Sequence, residues 1–137
     1  MKLAIFGSRT LSDERVENLI QNKIDELKPE CIITSGETTG VNEIARTKAR
    51  DNKIRLILEF ANNKKHAAGK YEHRSIEILK QCDFAIFIHD GQSKGTLNEL
   101  AIAKKMHKRY EYIKLDYHEE ADLNWDELKF DWPIDKS

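Results

Sequence analysis

The segment DFAIFIHDGQSKGT, residues 83–96, joins a short apolar run to a polar loop that carries two glycines. The run Asp83–Ile88 is rich in Ile and Phe, which is typical of a strand buried on both faces of a parallel sheet. Four other runs share this character, and we predict strands there as well: Lys2–Phe6, Cys31–Thr34, Ile54–Glu59 and Tyr112–Leu115.

The segments between these runs have helical periodicity. Val16, Ile20 and Ile24 belong to one apolar stripe, and Ser12 is the predicted N-cap of this first helix. Three further helices are predicted around other apolar sets: Val41, Ile44, Ala45 and Ala49; Ile76, Ile78 and Leu79; Leu97, Leu100, Ala101 and Met106. The alternation of strand and helix predicts a Rossmann-like, three-layer α/β/α fold with a mostly parallel five-stranded sheet.

The composition excludes several classes of protein. Lys and Arg total 23 against 24 Asp and Glu, so no global field favours nucleic acid or an anionic membrane as the main partner. No stretch approaches about 18 apolar residues, and the N-terminus lacks a signal-peptide core, so we expect a cytoplasmic protein without membrane spans. Cys31 and Cys82 lie in or beside apolar runs and are predicted to be buried free thiols.

Length and patterning divide the chain into one domain and a tail. Residues 1–116 carry the alternating elements and are predicted to form a single domain. Residues 117–137 are acidic and hold both tryptophans. We expect this tail to pack Trp125, Phe130 and Trp132 onto the domain, and the alternative is a tail that binds a protein partner.

All six glycines lie in predicted loops that follow a strand and precede a helix. Such loops share the carboxyl edge of a parallel sheet, where open α/β folds bind ligands. Glycine lets backbone N–H groups approach a ligand closely, whereas turns needed only for folding would spread glycines over both edges. The placement therefore predicts a ligand site at that edge, near Gly7, Gly36, Gly40, Gly69, Gly91 and Gly95.

The first two loops have the chemistry of anion and sugar recognition. A hydroxyl and a guanidinium suit phosphate or ribose, and backbone N–H groups before a helix form an anion-binding nest. Glu37 would repel a phosphate, so we expect it to accept a hydrogen bond from a sugar hydroxyl or a base. The predicted ligand-binding residues of these loops are Gly7, Ser8, Arg9, Ser35, Gly36, Glu37 and Gly40.

The loop after the fourth strand is the most specific. Thr96 is predicted to cap the following helix, whose N-terminus would face the ligand. Glu99 is expected in the first turn, where it either complements the helix dipole or reaches a ribose as ligand, nucleophile or base. The predicted ligand-binding residues here are Asp90, Gly91, Ser93, Lys94, Gly95 and Thr96.

The third loop supplies further candidate contacts: His66, Ala68, Gly69, Tyr71, His73 and Arg74. His66, His73 and His89 have no familiar metal-ligand spacing, so neither a metal site nor a cofactor is predicted.

Together these motifs resemble the SLOG superfamily, and within it the YspA/cpYpsA-related group. The resemblance covers about residues 1–115. Its motifs are a Gly-Ser-Arg start, a Ser-Gly-Gly-Ala-x-Gly-Ala-Asp signature, an Ala-Gly segment followed by an arginine, and Asp-Gly-x-Ser-x-Gly-Thr. They stand here as Gly7-Ser8-Arg9, Ser35 to Asn42, Ala68-Gly69 with Arg74, and Asp90 to Thr96. Glu37 and Asn42 depart from the family's usual Gly and Asp.

The resemblance implies a nucleotide or nucleotide-derived ligand and, because related domains commonly pair, a homodimer through helix faces. Gly95-Thr96-Leu97-Asn98-Glu99 is also similar to the Gly-Thr-x-x-Glu part of the lonely-guy phosphoribohydrolase loop. This similarity implies catalytic roles for Glu99 and Arg74.

Three hypotheses follow. The first is a nucleotide-binding sensor module without turnover. The second is an N-glycosidic hydrolase that releases a base from a nucleoside monophosphate. The third is an interaction module that uses the tryptophan-bearing tail. The sequence leaves the identity of the base and the number of phosphates open.

Overall fold

The computed structural model describes residues 1–61 and 69–116 of the chain. Strands and helices alternate along the whole of this part. The strands are β1 (Lys2–Gly7), β2 (Cys31–Ser35), β3 (Arg55–Glu59), β4 (Phe84–His89) and β5 (Tyr110–Lys114). The helices are α1 (Glu14–Leu27), α2 (Val41–Asp51), α3 (Lys70–Gln81) and α4 (Lys94–Lys105).

The five strands form one sheet in the order β3-β2-β1-β4-β5, and every neighbouring pair is parallel. The strand order reverses between β1 and β4, which opens a crevice outside their carboxyl ends. The predicted Rossmann-like α/β fold is therefore confirmed, and this crevice is where the fold offers a ligand site.

Alternating residues of β1 face opposite sides of the sheet and pack into two separate hydrophobic clusters. Leu3 and Ile5 pack with α1 and α2 on one face, while Ala4 and Phe6 pack with α3 and α4 on the other. Phe6 stacks on Phe87 of β4 with ring centroids 4.8 Å apart. Burying one such aromatic side chain stabilises a fold by roughly 1.5–3 kcal/mol, so this central pair holds β1 and β4 together beneath the crevice.

The two predicted helix caps differ from the structure. Asp13, not Ser12, is the N-cap of α1, because its backbone is extended and its Oδ1 accepts the Arg15 N–H at 3.0 Å. Thr96 does not cap α4, which begins two residues earlier at Lys94 with Ser93 as its N-cap. Gly95 and Thr96 thus lie in the first turn of this helix, and Glu99 lies in the second turn rather than the first.

The last strand begins at Tyr110, two residues before its predicted start, and ends at Lys114. β5 is an edge strand with alternating exposure, so its sequence lacks a continuous apolar run.

Cys31 and Cys82 are buried and unpaired, as predicted, and burial raises the pKa of the Cys82 thiol. In residues 1–61 and 69–116, no helix is long and apolar enough to cross a bilayer. The predictions for His66, Ala68 and the tail 117–137 fall outside the described residues.

Candidate functional site

A cleft of about 650 Å³ lies at the carboxyl edge of the sheet. Its wall is formed by the end of β1, the loops after β1 and β2, and one side each of α3 and α4. The lining residues are Gly7, Arg9, Glu37, Asn42, Tyr71, Glu72, Arg74, Ser75, Ser93, Gly95, Thr96, Asn98, Glu99, Ala101, Ile102 and Lys105. Its size is within the range of roughly 300–1,000 Å³ that small-molecule sites occupy.

The structure brings together residues from all four of the predicted loops. Glu99 and Arg74, the two candidate catalytic residues, both line the cleft. Among the predicted ligand-binding residues, those that also line it are Gly7, Arg9, Glu37, Ser93, Gly95 and Thr96.

The remaining predicted ligand-binding residues do not line this cleft: Ser8, Ser35, Gly36, Gly40, Asp90, Gly91 and Lys94. Gly40 has a φ of +77°, and a Cβ there would lie 2.4 Å from Cα of Arg9. Gly7, although it lines the cleft, is also constrained, since a Cβ would lie 2.4 Å from Cβ of Val41. Close packing of the first two loops thus accounts for these two glycines without a ligand.

Asp90 and Ser8 organise the loops behind the cleft. Asp90 accepts the Thr10 hydroxyl at 2.5 Å through Oδ2, and through Oδ1 it accepts the N–H groups of Gln92 at 2.8 Å and Ser93 at 2.7 Å. Burial favours the neutral acid, but these donors outweigh it and lower the pKa of Asp90. The Ser8 hydroxyl accepts the Asp90 N–H at 3.1 Å, so the first and fourth loops are hydrogen-bonded into one unit.

A chain of three charged groups crosses the mouth of the cleft. Arg74 donates from Nη1 to Oε2 of Glu37 at 3.0 Å, and Nη1 of Arg9 lies 3.8 Å from the other carboxylate oxygen. The Arg74 side chain is only 10% exposed, and its Nε is buried without a hydrogen-bond partner. A buried donor without an acceptor costs about 1–3 kcal/mol, and the Arg74 side chain carries that cost in the wall of the cleft.

Tyr71 places an aromatic ring at the rim. Its side chain is 56% exposed, and the Arg74 guanidinium lies over the ring at 5.2 Å from the centroid. Nζ of Lys70 also lies over this ring, 5.0 Å from the centroid, so Tyr71 contacts two cationic side chains beside the cleft.

Glu99 has an environment unlike that of a surface carboxylate. Removal from solvent raises its pKa from the ordinary 4.5 to about 7, despite the opposing effects of Arg74 and of a hydrogen bond from Ser75. Near neutral pH both the acid and the carboxylate are therefore populated. This property suits a general acid, a base or a nucleophile. The alternative prediction, that Glu99 complements the helix dipole, does not hold, because Glu99 lies beyond the first turn of α4.

The N-terminus of α4 contributes backbone donors to the same cleft. Its N-cap, Ser93, makes no side-chain capping hydrogen bond, and Gly95 has nothing within 4 Å of where a Cβ would stand. Neither packing nor backbone conformation therefore requires glycine at position 95. The open space above Gly95 lets an anionic group approach the helix N-terminus.

Several lining residues lie on α3, a helix whose start was predicted too late in the sequence. Tyr71, Arg74 and Ser75 were assigned to a loop or passed over, but α3 begins at Lys70 and puts them on one face at i, i+3 and i+4. The same spacing along α4 would have grouped Asn98, Ala101, Ile102 and Lys105. Among the described residues, no cluster of three or more His, Cys, Asp or Glu could hold a metal ion.

No protein-family model matches the sequence. A search of curated proteins also finds no match. The class of protein that the fold and cleft define is a Rossmann-like α/β domain with a ligand-sized site at the strand-order reversal, and membership of the SLOG superfamily stays a proposal.

Proposed function

We propose that this protein binds a nucleotide or nucleotide-derived ligand in the cleft. The observation that carries the proposal is that the largely buried guanidinium of Arg74 and the open helix N-terminus at Gly95 line the same ligand-sized cleft. A phosphate group suits a guanidinium, because two of its anionic oxygens can accept parallel N–H hydrogen bonds from the planar fork of donors.

The phosphate is best accommodated at the N-terminus of α4. The free space above Gly95, the hydroxyls of Ser93 and Thr96 and the helix dipole all favour an anion there. The Tyr71 ring offers a stacking surface for a planar base, and Glu37 can accept a hydrogen bond from a sugar hydroxyl. The resemblance to the SLOG superfamily supports the same ligand class.

Glu99 favours a second candidate function, hydrolysis of the N-glycosidic bond of that ligand. Its carboxylate would attack or stabilise the anomeric carbon while the base departs with the electrons of the C–N bond. Water then adds a hydroxyl to the anomeric carbon, displacing the carboxylate if a glycosyl ester has formed, and the remaining proton goes to the base. A carboxyl with a pKa of about 7 provides both the ionised form and the acid at neutral pH.

A thermal-shift screen tests ligand binding directly. Nucleoside mono-, di- and triphosphates, NAD and ADP-ribose are added separately, and free base is assayed in the same wells. A ligand that binds only the native state raises the melting temperature by mass action. Arg74→Ala should abolish that rise, whereas Arg50→Ala, at an exposed position on α2, should keep it.

Base release separates the two candidates. A stabilising ligand that stays intact identifies a binding module, while release that Glu99→Gln abolishes identifies a hydrolase. No shift with any compound overturns the nucleotide proposal. Full hydrolysis by the Glu99→Gln variant overturns the role of Glu99.

A further inference from the structure

Ser75 lies beneath Glu99 and contacts two oxygens with a single hydroxyl. The Ser75 side chain points from α3 toward α4, and the residue is 2% exposed. Its Oγ lies 3.4 Å from Oε2 of Glu99 and 3.1 Å from the backbone oxygen of Tyr71. A serine hydroxyl has one hydrogen and two lone pairs, so it cannot donate to both oxygens at once.

The protonation state of Glu99 decides which contact receives the hydrogen. When Glu99 is neutral, its own O–H donates to Ser75 Oγ, and the serine hydrogen goes to the Tyr71 carbonyl. When Glu99 is ionised, the serine hydroxyl turns and donates to the carboxylate. The Tyr71 oxygen tolerates this loss, because an α-helix gives its interior carbonyls a backbone N–H partner.

We propose that Ser75 is a positioning residue that keeps the Glu99 carboxyl hydrogen-bonded in one orientation in both of its protonation states. A carboxyl that alternates between acid and base needs a partner that can both donate and accept. A partner that can only donate would lose its hydrogen bond to that carboxyl oxygen once the oxygen is protonated. The role of Ser75 in catalysis rests on the proposed function, but its hydrogen bond to Glu99 does not. The hydrogen bond itself is testable in the ligand-free protein.

The other groups around Glu99 do not change when Ser75 is replaced. Arg74 on α3 and Arg9 on the first loop favour its ionised form, whereas Glu37 on the second loop opposes it. Glu72 of α3 and Lys105 of α4 line the same cleft. A change in titration in Ser75→Ala that Ser75→Thr does not share therefore reports on the hydroxyl.

The test is the titration of the Glu99 side-chain carboxyl by ¹³C NMR in the ligand-free protein, with the signal assigned by its loss in Glu99→Gln. A hydrogen bond to an ionised acceptor is roughly twice as strong as one to a neutral group. Ser75→Ala should therefore raise the titration midpoint, by about half to one pH unit. Ser75→Thr keeps the hydroxyl and should titrate like the native protein.

An unchanged or lowered midpoint in Ser75→Ala overturns the inference, and so does an equal shift in Ser75→Thr, which would implicate packing rather than the hydroxyl. Ser75→Cys, with its weak S–H donor, replaces the alanine variant if that variant does not fold, and should also raise the midpoint. If base release occurs, the pH–rate profile should move with the NMR midpoint. A shifted NMR midpoint without any base release would leave the hydrogen-bond inference intact while ruling out the hydrolase.

Discussion

Nη1 of Arg74 lies 3.0 Å from Oε2 of Glu37, which joins α3 to the loop after β2 across the mouth of the cleft. The charge of Arg74 also favours the ionised form of Glu99. Glu37 itself also disfavours a negative charge on Glu99. Glu37 therefore acts on Glu99 directly, and it also pairs with Arg74, whose charge acts on Glu99 in the opposite sense.

Replacing Glu37 should make Glu99 more acidic. Glu37→Gln removes a negative charge and releases Arg74 to interact with Glu99, so the pKa of Glu99 should fall below about 7. The ¹³C titration of the Glu99 carboxyl measures the change. Glu17→Gln, on an exposed position of α1, is the matched control and should leave the titration unaltered. A midpoint that stays or rises in Glu37→Gln contradicts the coupling.

Gly95→Ala should separate folding from ligand binding. Alanine is favoured over glycine in a helix by up to about 1 kcal/mol, and a Cβ at position 95 meets nothing within 4 Å. We therefore expect the ligand-free variant to melt at or above the native temperature. The new methyl group occupies the space assigned to the anion, so the ligand-induced rise in melting temperature should shrink. Native-like ligand stabilisation in the variant would place the anion elsewhere.

Gly40→Ala is the contrasting glycine variant. The positive φ of Gly40 and the backbone of Arg9 at 2.4 Å leave no room for a Cβ. This variant should lose about 1–3 kcal/mol of unfolding free energy, measured by urea denaturation without ligand. Stability equal to that of the native protein would show that the two loops are free to move apart.

Glu99→Gln should stabilise the protein at alkaline but not at acidic pH. The folded pKa of Glu99 is raised from 4.5 to about 7, so the favourable contribution of the neutral acid is complete below pH 4.5 and is lost as the pH rises toward 7. Glutamine stays neutral throughout. Urea denaturation at pH 8 should therefore show the variant to be more stable than the native protein by about 1–3 kcal/mol. At pH 4 the two should differ little, and a difference independent of pH would refute the raised pKa.

Asp90→Asn should have the opposite pH dependence. The hydrogen bonds to Asp90 lower its pKa below 3.8, so its ionised form stabilises the fold above that pH and the benefit is lost as the pH falls through the folded pKa. The variant should be less stable at pH 7 by about 1–2 kcal/mol, because its amide nitrogen cannot accept the Thr10 hydroxyl. The difference should narrow in stronger acid. Asp51→Asn, at an exposed position, provides the control for a general charge effect.

The fold was predictable because its signal is local. The strands other than β5 carry short apolar runs such as that of Phe84–His89, and the intervening helices repeat apolar residues at helical spacing. Parallel connections then restrict the topology to few choices. The first residues of the helices were harder to predict. Asp90 accepts hydrogen bonds from the N–H groups of Gln92 and Ser93, and α4 begins directly after this turn, at Lys94.

The sequence by itself determined the α/β architecture and the sheet edge at which polar loops converge. It also singled out Glu99 and Arg74 as residues of interest, on the strength of a resemblance. Only the tertiary structure decided their chemistry, since Glu37 lies 37 positions from Arg74 and Ser75 lies 24 positions from Glu99. The pKa of a carboxyl depends on solvent exclusion and on charges within a few ångströms, and both arise only when α3 and α4 pack side by side on the sheet.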